Sequence, residues 1–111
     1  MSMDAFSALA EPRRRKIIEI LASDGELSAT QIYTRFDITP QAVSQHLKVL
    51  LAAGLLEMER RSQQHIYQIN PDSIAEVEQW LAHTRQLWSD RLDNLDNLLE
   101  TEKTKNATTN R

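Results

Sequence analysis

TPQAVSQHLKVLLAAGLL, residues 39–56, reads as a helix that carries its own start and stop signals. Thr39 offers an N-cap oxygen, Pro40 a pre-set first helical residue, and Gly54 an end. Val43, Leu47, Leu50 and Leu51 recur at three- and four-residue spacing, which turns one side toward a core. The other side carries Gln41, Ser44, Gln45 and Lys48, gathered in the N-terminal half. Such side chains have the chemistry of a base reader: Gln pairs bidentately with adenine, Ser bonds several base edges, and Lys reaches guanine or phosphate. Thr39 and the first amides can hold a phosphate as well. A plain solvated helix face is the competing reading, and the neighbouring elements decide between the two.

Upstream, Met3, Phe6, Leu9 and Ala10 predict a short amphipathic helix over residues 1–10. Pro12 suits the first turn of the next helix, whose inward residues are Ile17, Ile18, Leu21 and Ala22, and Asp24-Gly25 ends it. Ser28-Ala29-Thr30-Gln31 has the capping-box pattern and opens a short helix with Ile32 and Phe36 inward. Downstream of Gly54 the period changes to that of strands. Residues 55–61 and 65–70 predict a hairpin around Ser62-Gln63-Gln64. Asn70-Pro71 then caps a long helix running to Leu99. The expected fold is mainly α with a two-stranded β wing, a winged helix-turn-helix of order α-α-α-α-β-β-α. Its second short helix would lie in the major groove while the first crosses the DNA backbone.

Residues 1–100 are thus expected to form one DNA-binding and dimerisation domain, and residues 101–111, which lack apolar periodicity, a disordered tail. The chain has 111 residues and a net charge of −3. The acidity is local: residues 11–70 hold eight Lys/Arg and seven Asp/Glu, residues 71–111 five and eight. Whole-chain charge therefore does not exclude a basic face. With no cysteine, disulfides, thiolate metal sites and cysteine nucleophiles are excluded. No secretory signal and no membrane-length apolar run is found, which predicts a cytoplasmic protein.

ALAEPRRRKIIEIL, TPQAVSQHLKVLLAAGLLEMERR and HIYQINP resemble the ArsR/SmtB family of bacterial winged-helix repressors over roughly Phe6 to Trp88. The resemblance implies a homodimeric repressor on a palindromic DNA operator. It matches Gln41, Ser44 and Gln45 to base-contacting positions, and His46 to a common family histidine read as packing. The hairpin would be the wing, with Arg60, Arg61 and His65 gripping phosphate or entering the minor groove. The family often has Gly-Arg where this chain has Gln63-Gln64. Arg13-Arg14-Arg15-Lys16 points in four helical directions and is expected to be mainly salt bridges and surface, with at most one DNA backbone contact.

The helix from Pro71 to Leu99 would be roughly 43 Å long, more than so small a core can cover. Trp88, Leu92, Leu95 and Leu99 follow coiled-coil-like spacing. With Leu81, and with Phe6 and Leu9 of the first helix, they are expected to form the dimer contact. Family metal positions are changed. Ser28-Ala29-Thr30 stands where one site has Cys-x-Cys, and neither hydroxyl is a soft-metal ligand. On the last helix His83 stands alone, with Leu81 two residues earlier and Asn94 and Asn97 at the later positions. Trp88-Ser-Asp-Arg91-Leu92-Asp-Asn-Leu95 resembles the family subset without metal-binding cysteines. No cofactor or metal is expected, and the inducer or corepressor is left open. No phosphate loop, metal cluster or convergent Ser/His/Asp group points to an enzyme. The alternative is a dimeric winged-helix interaction module without operator binding, against which the polar Gln41-to-Lys48 face argues.

Overall fold

The computed structural model describes the backbone of residues 4–109 and the side chains of residues 4–101. The elements run α1 (Ala5–Ala8), α2 (Pro12–Asp24), β1 (Glu26–Ser28), α3 (Ala29–Tyr33), α4 (Pro40–Ala52), β2 (Leu56–Arg61), β3 (Gln64–Ile69) and α5 (Pro71–Thr109). The chain divides into two compact units between Val77 and Glu78.

In the first unit, side-chain caps fix where helices begin. Asp4 accepts from the Ser7 amide at 2.7 Å, Glu11 from Arg14 at 3.0 Å, and Thr39 from Ala42 at 3.2 Å. The Ser28–Gln31 capping box is complete, with bonds of 3.2 and 2.8 Å. At the other end of α4 the Gly54 amide bonds the Leu51 carbonyl, and the Leu55 amide the Leu50 carbonyl. That is a Schellman motif, and φ of +79° at Gly54 is the left-handed conformation it requires. Its apolar clasp is Leu50 against Leu55, both fully buried.

The sheet corrects the expected two strands to three. Its order is β1-β3-β2, antiparallel throughout, with Leu27 opposite Tyr67 and Arg60 opposite His65. Only three residues long, β1 shows too few alternations to declare itself in a sequence. The hairpin turn is also tighter than expected. Gln64 belongs to β3, paired with Arg61, so the loop is Ser62-Gln63 alone. Ser62 has φ of +59°, a backbone conformation that hairpin turns usually give to glycine or asparagine.

Ile17, Leu21, Ile32, Val43, Leu47, Leu50 and Leu55 form the innermost core. Each such side chain contributes roughly 1.5–3 kcal/mol by leaving water. Differences from expectation are small: Ile20 is buried where Ala22 had been expected, Ile18 and Phe36 are half-buried, and α1 is only four residues long. Met3 lies outside the described residues. At the start of α5, Ile74 packs on this core and the Ser73 hydroxyl donates to the Gly54 carbonyl. The α5 backbone stays helical to Thr109, ten residues past the expected end at Leu99 and into the stretch read as a tail. Residues 100–109 contain neither Pro nor Gly, so nothing there forbids helix even without a core to pack on.

Candidate nucleic-acid interface

The two sides of α4 differ as its sequence predicts. Val43, Leu47 and Leu50 are buried, while Gln41, Gln45 and Lys48 are exposed and Ser44 half-exposed. An open concavity is lined by Gln41, Ser44, Gln45 and Lys48 together with Pro40 and Tyr33. Thr39 is exposed at the edge, but its hydroxyl oxygen already accepts the Ala42 amide. Tyr33, half-buried at the end of α3, is a member that sequence reasoning missed. Behind it lies Tyr67, whose phenol is pushed above its usual 10.0, first by burial and then by the neighbouring Tyr33.

The wing residues do not form one set. Side chains alternate across a strand, and Arg60 pairs with His65 whereas Arg61 pairs with Gln64, so Arg60 and His65 share one face and Arg61 takes the other. Arg60 and His65 are exposed. Arg61 donates to Glu26 on β1 at 2.7 and 3.3 Å and also bonds Glu59. Those bonds raise the guanidinium pKa further, and the Arg61 hydrogen bond and charge hold the Glu26 carboxyl below its usual 4.5. Nothing in the sequence signals Glu26 as a partner, since it is 35 residues away. At the same tip of the wing, Gln63, Gln64 and His65 share a second concavity with Ser28, Ala29 and Thr30.

The basic run on α2 is dispersed, in line with its helical directions. Arg13 stands 3.9 Å from Glu11. Arg14 turns back to donate to the Ala8 carbonyl at 2.6 Å and the Ser7 carbonyl at 3.4 Å, closing the end of α1. His46 is mostly buried, its Nδ1 3.9 Å from Glu11. Burial works to raise the Glu11 carboxyl, but the Arg14 and Arg13 amides and the charges of His46 and Arg13 leave it lowered overall. The Ser28 hydroxyl oxygen is engaged in its capping box, and His65 and His83 lie on β3 and α5. Among the described residues no three His, Cys, Asp or Glu side chains gather as a metal site.

Of the residues expected at a dimer contact, Leu9 packs partly on the core of its own unit, while Phe6 is 46% exposed. In the second unit Trp80, Leu81, Leu87, Trp88, Leu92, Leu95, Leu98 and Leu99 are each 41–64% exposed. No helix among the described residues is long and apolar enough to cross a membrane.

Comparison with known proteins agrees with this geometry. A family described as "Helix-turn-helix domain" matches residues 9–59. The transcriptional repressor SdpR of Bacillus subtilis is 30% identical over 78 residues, covering 70% of this chain and 86% of SdpR. Among solved structures, an ArsR family transcriptional regulator superposes with a TM-score of 0.68 at 25% identity, covering 80% of this chain and 97% of its own. A possible transcriptional regulator for arsenical resistance gives a TM-score of 0.67 at 32% identity, covering 84% and 93%.

Proposed function

The chain belongs to the ArsR family of helix-turn-helix transcription regulators, which are not enzymes, and from that premise we propose that it is a homodimeric repressor occluding a palindromic operator. DNA-binding repression is the activity that its relatives' names carry. One observation carries the finer reading: Gln41, Ser44, Gln45 and Lys48 line a single concavity on the outer side of a helix whose inner side is buried. In this reading those four side chains work in the major groove, Gln41, Ser44 and Gln45 on base edges and Lys48 on guanine or an adjoining phosphate; Thr39 sits beside a phosphate, and Arg60 and His65 hold the flanking backbone. Arg61 joins them only after leaving Glu26 and Glu59.

Dimerisation is supported by the apolar stripe of Leu81, Trp88, Leu92, Leu95 and Leu99, with Phe6 as a further exposed contact. Two copies would then present two α4 helices to half-sites about one DNA turn apart. Residues 1–100 would carry both tasks. Repression is proposed to need no metal: the sequence has no cysteine to bind arsenic or another soft ion.

The test is a fluorescence-anisotropy titration of DNA from the chain's own upstream region against a scrambled duplex, at two salt concentrations, with chelator present. Selective, salt-sensitive binding is expected. Weak and unselective binding would favour a missing corepressor or a pure interaction module. For the dimer, Trp88→Asp with Leu95→Asp is expected to give monomers in light scattering, and a persistent dimer would remove α5 from the contact.

A further inference from the structure

Between the two concavities lies α3, and Thr30 and Tyr33, three residues apart, lie on neighbouring positions of its surface. Thr30 lines the wing-tip concavity with Gln63, Gln64 and His65. Tyr33 lines the α4 concavity with Gln41, Ser44, Gln45 and Lys48. Other polar groups on this short helix are engaged locally: the Gln31 side chain closes the capping box, and the Thr34 hydroxyl donates to the Gln31 carbonyl at 2.7 Å. The hydroxyls of Thr30 and Tyr33 make no hydrogen bond among the described residues, and Thr30 is exposed.

We propose that Thr30 and Tyr33 are neutral DNA-backbone contacts, their hydroxyls donating to phosphate oxygens where one strand passes from the wing tip across α3 to the reading face of α4. This rests on the operator-binding reading and adds to it two residues and a mode of contact. Side-chain hydroxyls are ordinary phosphate donors, and such contacts set register and orientation without reading sequence. Tyr33 suits the task because its ring is half-buried beside Tyr67, so its position is set by packing before DNA arrives. Being neutral, a hydroxyl displaces no condensed cation. Its loss therefore weakens binding without altering the salt dependence, unlike loss of a Lys or Arg contact.

Tyr33→Phe and Thr30→Val keep nearly the same shape and remove one hydroxyl each. Both would be titrated, as full-length chains, against operator and scrambled duplexes over a series of salt concentrations, with Lys48→Gln alongside. Tyr33→Phe is expected to weaken binding to both duplexes by roughly three- to tenfold. Its slope of log K against log salt should stay that of the wild type, its melting temperature should be unchanged, and Thr30→Val should behave alike but more mildly. Lys48→Gln should instead flatten the slope by about one. Unchanged affinity in Tyr33→Phe, or a loss confined to the operator, overturns the backbone assignment while leaving the operator reading intact. Wild-type protein that binds no duplex selectively overturns the operator reading first, and this inference with it.

Discussion

On the outer face of α4, Gln41, Gln45 and Lys48 are exposed and make no hydrogen bond among the described residues, whereas at the wing tip Arg61 is held by Glu26 and Glu59. Both regions were read from sequence as DNA contacts, yet they stand in different states before any DNA arrives. The helix face is preformed: core packing and the Thr39 cap fix it, and its donors and acceptors exchange only water for a base. The wing cation has to give up two carboxylates before it can neutralise a phosphate. Specificity should therefore reside in the helix, and the wing should contribute less to affinity than its count of basic residues suggests.

Several substitutions press on that contrast. The largest effect is expected from Gln45→Ala, which should reduce operator preference by about 1–3 kcal/mol in anisotropy titrations while binding to random duplex survives. Equal weakening on both would move specificity away from α4. Next comes Ser62→Gly, which frees the hairpin of a left-handed serine and should raise stability by about 1 kcal/mol in chemical denaturation. A destabilised Ser62→Gly would mean that the turn does not strain the serine. Smaller still, Arg60→Ala should lower the salt slope by about one, and Arg61→Ala by clearly less. Equal slopes would show that Arg61 leaves its carboxylates freely.

The mildest test is pH. Because Arg61 lowers the Glu26 carboxyl in the folded chain, the stability from this pair is complete above the usual value of 4.5 and disappears as pH falls through the lowered one. Thermal melts of wild type and Glu26→Gln should differ near neutrality and converge well below pH 4.5. A constant difference would assign the stabilisation to something other than the ionised pair.

How much of this could be read in advance depended on how local each signal was. Thr39, Pro40, Gly54 and the Val43-Leu47-Leu50 spacing lie within one helix, and helix, caps and buried face came out as read. The Ser28–Gln31 capping box was equally local. By contrast, β1 exists only because Leu27 finds Tyr67, and the Arg61–Glu26 pair depends on the same long-range register. Tyr33 was overlooked because one aromatic beside Ile32 looks like core until α4 is laid against α3. Arg60 and Arg61 were grouped because they are adjacent, although strand alternation places adjacent residues on opposite faces.

The pairing of Ser28 with Ile66 has a consequence for how the molecule opens. Between these residues the chain forms a closed loop of roughly forty residues, and closing it costs entropy that only the finished sheet and core repay. Both helices of the helix-turn-helix and the first wing strand lie inside that loop. Fraying of β1 would loosen the loop and everything strung along it. Amide protons of α4 are then protected by the same cooperative opening that protects β3, and hydrogen exchange should report the two as one folding unit. A ligand that prised β1 from β3 could disable the recognition helix without touching it.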